Sequence, residues 1–196
     1  MTSTAVDVRK ASIRDIHAVL EVINSYAAQG IMLPRTEFEM AEHIRDFSVV
    51  YDGNVLLGCG ALHFYTPTTA EVRSLAVRPE AKQHGIGRIL VKNLEIEARD
   101  NDLESIFAFT YVPGFFAKLG FGEVERGELP LKAWKDCLRC PKFQGCDEIA
   151  VLKRLRPAAH PSSHHEVRGQ LLAGLTQIQS IDRADTIVLP IVKPRF

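Results

Sequence analysis

Apolar positions recur along the chain in two rhythms, one of period two and one of period three to four. Residues 6–9 fit a short strand. Ser12 then sits as an N-cap with Asp15 at the third helical position, the pattern that satisfies free helix N–H groups. Ile13, Ile16, Val19, Leu20 and Ile23 follow at helical spacing, so the pattern predicts a helix to about residue 28, closed by Gln29-Gly30. Thr36 and Glu39 repeat the capping pattern and open a second, short helix to about His43. Residues 47–51 and 55–65 read as a hairpin turning at Asp52-Gly53-Asn54, with glycines at 58 and 60 in the return strand. Val72, Leu75 and Val77 mark a further strand. A glycine-bearing loop leads into a helix over 87–100, whose apolar set is Ile89, Leu90, Leu94, Ile96 and Ala98. Residues 105–110 form a compact strand, 115–119 a short helix stopped by Gly120, and 121–125 and 148–155 two more strands. The order β-α-α-β-β-β-α-β-α-β-β predicts a mixed α+β layer fold.

The 196 residues suit one domain with a tail. Arg156-Pro157 marks the expected boundary, giving a domain over 1–155 and an extension over 156–196. The extension begins with the polar AAHPSSHH and could hold a helix over 166–178 and a strand over 186–192. It could pack back, pair with another subunit as a homodimer, or stay mobile. Lys plus Arg equals Asp plus Glu at 24 each, which argues against a nucleic-acid partner. No stretch reaches membrane-span length, and the first residues lack a basic-then-apolar leader pattern. A soluble, cytoplasmic protein is therefore the expectation.

The segment from Glu71 to Arg88 carries the chemistry. A strand passes through Arg78-Pro79-Glu80 into KQHGIG and directly into a helix. Gly85 and Gly87 remove Cβ atoms where the chain must bend and approach a ligand closely. The helix N-terminus offers unbonded N–H groups and the positive end of a dipole, and Lys82, His84 and Arg88 stand nearby. This suits a diphosphate. It matches neither the dinucleotide fingerprint nor the P-loop, whose further residues are missing. The stretch resembles motif A of the GNAT superfamily of N-acetyltransferases, usually [Q/R]-x-x-G-x-[G/A], with Lys82 in the first position and Gly85 and Gly87 in the glycine positions. FFAKLGFGEV resembles that superfamily's helix-into-strand segment. The resemblance spans about residues 6–155. It implies the acyl-CoA N-acyltransferase fold, a mixed, mostly antiparallel central sheet flanked by helices, with acetyl-CoA as co-substrate. It also implies that Leu75, Ala76 and Val77 meet the pantetheine arm, and that Lys82, Gln83, His84, Gly85, Ile86, Gly87 and Arg88 hold the diphosphate.

GCGALHFY, EVRSLAVRP, the PGFFAKLGFGEV segment and ELPLKAWKDC together resemble the short N-acetylglutamate synthases, the amino-acid N-acetyltransferases of arginine biosynthesis. That resemblance implies a small-molecule amino acid acceptor, with L-glutamate first. An ammonium must lose a proton before attack, and Glu71 stands where the relatives place a carboxylate base. The tyrosine acid of many acetyltransferases is Phe116 here; the resemblance to the glutamate-acetylating relatives implies instead a hydroxyl near the end of the strand before that helix, which is Thr110 or its neighbour Tyr111. Two acceptor carboxylates suit arginine forks. Arg35 in MLPR, and Arg73 two residues after Glu71 and so on its face of the strand, are the candidates; Lys132 and Arg139 could join them. Two other functions stay open: the same transfer to another amino acid, a polyamine or a protein terminus, and a non-enzymatic acyl-CoA-binding module.

Cys137, Cys140 and Cys146 form C-x2-C-x5-C, compatible with structural zinc if Cys59, a tail histidine (His160, His164, His165) or Asp147 completes four ligands. Free buried thiols are the simpler expectation. Trp134 and Phe143 are expected to pack over the core or to form a wall of the substrate pocket. Cys59 and His63 share odd positions of one strand, yet nothing orients them as a nucleophile and base.

Overall fold

The computed structural model describes residues 6–130, 138 and 140–155. Seven strands form one sheet in the order β1-β2-β3-β4-β5-β7-β6. They are β1 (Asp7–Lys10), β2 (Phe47–Asp52), β3 (Val55–Thr66), β4 (Thr69–Val77), β5 (Ser105–Thr110), β6 (Gly122–Glu123) and β7 (Ile149–Arg154). Every pairing is antiparallel except β4 with β5. Among the described residues four α-helices intervene: α1 (Ile16–Ala27), α2 (Glu37–His43), α3 (Ile86–Asp100) and α4 (Pro113–Ala117). The mixed, mostly antiparallel sheet flanked by helices is the architecture expected.

The elements form for local reasons. The Thr36 hydroxyl accepts from the Glu39 amide at 3.2 Å and the Glu39 carboxylate accepts from the Thr36 amide at 3.0 Å, so α2 opens on a closed capping box. At the entry to α1 the Asp15 carboxylate accepts from the Ser12 amide at 2.7 Å. It also accepts a two-pronged bond from Arg9 at 2.8 and 2.9 Å and the Tyr51 hydroxyl at 2.9 Å. This buried carboxylate ties β1, β2 and the start of α1 together. The Arg9 guanidinium, with Ser12 and Tyr51, holds its pKa well below the usual carboxylate range, against the opposing effect of burial.

Two cores sit on opposite faces of the sheet. One face packs Ile16, Val19, Val22 and Ile23 of α1 and Met40 of α2 on Phe47, Val49, Cys59, Ala61 and Ala76. The other packs Val91, Leu94 and Ala98 of α3 and Phe116 of α4 on Leu62, Val72, Ile106, Ala108 and Val151. Gly58 and Gly60 let α3 lie close to β3. A Cβ at Gly58 would stand 2.8 Å from the Ala76 carbonyl oxygen and 3.3 Å from both Ile86 and Leu90.

The structure corrects several boundaries. The strand expected over 121–125 shrinks to Gly122–Glu123. The helix expected over 115–119 begins two residues earlier, with Pro113 in its first turn, where a missing N–H costs nothing. Ile96 of the expected apolar set is 58% exposed; Ile86 and Val91 are buried instead. The boundary at Arg156-Pro157 and the elements expected at 166–178 and 186–192 lie outside the described residues.

These contacts set the stability of the domain. Gly58→Ala should destabilise by about 1–3 kcal/mol, because a backbone oxygen cannot give way; urea unfolding measures it. Asp15→Asn should cost about 2 kcal/mol at about pH 7, less than a fully buried pair because Arg9 is half in water. The pKa of Asp15 is lowered on folding, so its stabilisation is full above about pH 4 and is lost as pH falls through the folded value. In urea titrations the gap between the Asp15→Asn variant and its parent should therefore narrow below about pH 4.

Candidate active site

The β4–β5 pair sets the site. Their parallel register runs Thr69 with Ser105, Ala70 with Ile106 and Glu71 with Phe107. Beyond Glu71 the two strands part: β4 continues to Val77 against β3, and β5 continues to Thr110 against β7. A wedge thus opens on the edges of both strands, beginning at Glu71.

Inside β4 the chain carries one extra residue. The register with β3 passes from Ala61–Arg73 to Cys59–Ala76, and Ser74 takes a left-handed φ of 51°. This β-bulge changes which residues face which side. Glu71 and Arg73 look to the α1–α2 face. After the bulge Leu75 and Val77 turn to the α3 face, and Ala76 joins the core beneath α1.

On the α1–α2 face the charged groups gather. Asn24 of α1 holds the Arg35 backbone from both sides, at 2.9 and 3.0 Å. The Arg35 guanidinium reaches the Ser74 hydroxyl at 3.4 Å. Arg73 lies 3.8 Å from the Asp46 carboxylate, which is bonded to His63 Nδ1 at 2.6 Å. His43 Nδ1 is 3.8 Å from the same carboxylate. Burial, with the Arg73 charge behind it, lowers the His43 pKa. Glu71 is 8% exposed and accepts the Tyr65 hydroxyl at 3.0 Å. The structure therefore brings Glu71, Arg73 and Arg35 to one stretch of β4. Among the described residues, His43, Asp46 and His63 are the trio spaced to suit a metal ion, with ligand atoms within 4.8 Å of one another. Arg73 already brings a positive charge to Asp46, which opposes a second cation there.

At the other end of the wedge, Gly85 caps α3 in a left-handed conformation with φ 82°, and Gln83 also has a positive φ, 68°. The first helical bond runs from Ile89 N to Gly85 O, so the amides of residues 86–88 precede it. Lys82, Gln83, His84 and Arg88 surround this terminus, and all four are exposed. The Lys82 ammonium lies 5.0 Å from the Tyr26 ring centre. Two expected details change. The Ile86 side chain is buried in the core, so its backbone alone faces outward. Gly87 lies within the first turn of α3, and its missing Cβ makes room for Phe115, whose ring would be 3.3 Å away.

Thr110 and Tyr111 stand at the end of β5. By strand alternation Thr110 shares the α3 face with Ile106 and Ala108, opposite Glu71. Its hydroxyl accepts from the Val112 amide at 3.0 Å. Tyr111 is 38% exposed and pairs with Lys142 at 3.2 Å; burial raises its pKa. Phe116 is buried between Phe115 and Phe121, edge to face with both. Cys59 is no nucleophile: complete burial pushes its thiol up to about 12. Cys140 and Cys146 are free thiols, and Cys146 sits 3.2 Å from the Arg126 guanidinium. Lys132, Trp134, Cys137, Arg139, His160, His164 and His165, and the Phe143 side chain, lie outside the described residues. Sequence reasoning missed Tyr65, Asp46 and Ser74. Tyr65 shares odd parity with His63 on β3 and could have been found that way; the bulge at Ser74 leaves no such trace.

Known proteins resemble this chain in sequence and fold. The acetyltransferase (GNAT) family profile matches residues 16–121. An uncharacterized N-acetyltransferase of Chlorobaculum tepidum is 44% identical over 149 residues, covering 76% of this chain and 96% of that protein. An amino-acid acetyltransferase of Mycobacterium tuberculosis is 35% identical over 153 residues, covering 76% and 87%. Among solved structures, N-acetylglutamate synthase from Neisseria gonorrhoeae, complexed with coenzyme A and N-acetyl-glutamate, superposes with a TM-score of 0.72 at 28% identity. That match covers 80% of this chain and 36% of the synthase. The β4–β5 wedge, the glycine-capped α3 and these matches together place the chain in the acetyltransferase (GNAT) family.

Proposed function

We propose that the chain transfers the acetyl group of acetyl-CoA to the α-amino group of L-glutamate, giving N-acetyl-L-glutamate and CoA. The observation that carries this reading is the meeting of Arg35 and Arg73 beside Glu71 at the opening of the wedge. Two guanidinium groups next to a buried carboxylate suit an acceptor with two carboxylates and one ammonium. The Neisseria gonorrhoeae synthase, solved with coenzyme A and N-acetyl-glutamate, and a Mycobacterium tuberculosis protein, solved with CoA, support the choice of ligands.

Each step falls to a residue of the chain. The amides of residues 86–88 and the cations at Lys82 and Arg88 receive the diphosphate. The edge of β4 over Leu75, Ala76 and Val77, which β5 leaves open, receives the pantetheine arm. Arg35 and Arg73 orient the acceptor by its carboxylates. Glu71 accepts a proton from the ammonium, directly or through one water. The freed nitrogen then bonds to the thioester carbon, the carbon–sulfur bond breaks, and the second proton that the nitrogen loses as the amide forms ends on the departing CoA sulfur. Thr110 accepts rather than donates in its bond with Val112, so its own hydroxyl hydrogen is available to the sulfur. A thiol of pKa about 8.5 leaves readily, so this help is modest.

The twenty amino acids, assayed with acetyl-CoA for thiol release and product mass, test the proposal. Glutamate should give the highest kcat/KM. Turnover of a different amine but not glutamate would refute the acceptor, and binding of acetyl-CoA without any turnover would point to a binding module. Glu71→Gln should lower kcat about 10²–10⁴-fold. Arg35→Ala should raise the KM for glutamate about tenfold or more while leaving that for acetyl-CoA unchanged, as loss of a charge-assisted contact requires.

A further inference from the structure

The Tyr65 hydroxyl donates to Glu71 Oε2 at 3.0 Å. Its placement is built into the sheet. The β3–β4 register passes from Phe64–Ala70 to Thr66–Thr69, so Tyr65 is the extra residue of a second bulge. By alternation Tyr65 faces the same side as His63 and Glu71, and the bulge leaves it with no β4 residue directly opposite. Glu71 has two direct cross-strand neighbours, His63 on β3 and Phe107 on β5. Both also hold the phenol ring. His63 meets it edge-on, with centroids 5.0 Å apart at 85°, and Phe107 lies against it at 5.8 Å and 38°. Phe107 is fully buried, and His63 is fixed by Asp46 at 2.6 Å. The phenol therefore has little freedom to leave the carboxylate.

We propose that Tyr65 is the positioning residue of the base: its hydroxyl binds Oε2 of Glu71 and fixes how the carboxylate meets the acceptor's ammonium at the mouth of the wedge. The inference rests on Glu71 as the base, but not on glutamate as the acceptor. Two consequences follow. The carboxylate is held in one rotamer, so each bound amine meets it in the same orientation. The hydrogen bond also favours the ionised form of Glu71, so the base stays unprotonated to lower pH than it would without the phenol. Among the described residues, the charged and titratable groups on this face of the sheet next to the carboxylate include Tyr65 and His63 of β3 and Arg73 of β4. Asp46 and His43 lie behind His63, and Arg35 comes from the segment ahead of α2. β5 contributes the apolar Phe107.

The test replaces Tyr65 with Phe, which keeps the ring and its packing and removes the hydroxyl. Glu71 is followed by carboxyl carbon-13 NMR in protein labelled at glutamate, with Glu71→Gln to assign its signal. In Tyr65→Phe the titration midpoint of Glu71 should rise by about half to one pH unit. The acid limb of kcat/KM, measured with whichever amine the enzyme turns over, should rise with it, while the KM for acetyl-CoA stays unchanged. Fluorotyrosine at position 65, a stronger donor of the same shape, should move both quantities the other way. A midpoint that coincides in the three proteins overturns the proposal. So does a midpoint that moves while the acid limb does not, because Tyr65 would then touch Glu71 without serving catalysis. Failure of glutamate as acceptor, with these shifts intact for another amine, would count against the acceptor assignment alone.

Discussion

One extra residue in β4 organises the site. Side chains alternate along a strand, so a regular β4 would send Arg73 and Leu75 to the same face. The bulge at Ser74 breaks that alternation. Before it, Glu71 and Arg73 face the side of α1 and α2; after it, Leu75 and Val77 pack toward α3. The same bulge presents the Ser74 hydroxyl to Arg35. A polar side and an apolar side thus come from nine consecutive residues, Thr69–Val77. A left-handed φ at a non-glycine residue costs of order 1–3 kcal/mol. The packing of β3 and α3 around the bulge is extensive enough to hold it.

The parting of β4 and β5 supplies the second half of the arrangement. Pairing ends at Glu71 and Phe107, and each strand then finds its hydrogen bonds on its other side. The opened edges keep backbone donors and acceptors that a flexible ligand arm can use, as any exposed strand edge can. At the far end, the first turn of α3 adds amides aimed outward. Polar and apolar demands are therefore separated along one line, from α3 through the wedge to Glu71. The electrostatics follow the same division. Arg35, Arg73 and two histidines gather around the carboxylates Glu71 and Asp46, the setting on which the proposed acceptor rests.

Much of this was legible in the sequence. The order of strands and helices followed from periodicity, because each element buries one face and its apolar spacing records which. The capping boxes at Ser12 and Thr36 announced two helices for local reasons. Glu71 and Arg73 were placed on one face by counting, and the count held because both precede the bulge. Counting fails past it, since a bulge is a property of two strands in register rather than of one segment. The role given to Gly87 shifted for a similar reason: its missing Cβ answers Phe115, which belongs to a different helix. Asp46 and Ser74 act through partners distant in sequence, and no local pattern reports them, whereas Tyr65 lay within reach of counting because it shares odd parity with His63. Ile96 misled in the opposite sense, an apolar residue at helical spacing that faces outward.

The most direct test of the account is a crystal structure of the chain with CoA and N-acetyl-L-glutamate bound. The account predicts the diphosphate on the amides of residues 86–88 and the thiol end in the wedge beside Glu71. It predicts the two product carboxylates on Arg35 and Arg73, with the amide nitrogen within reach of Glu71. Product bound away from Arg35 and Arg73, or its nitrogen pointing away from Glu71, would contradict it.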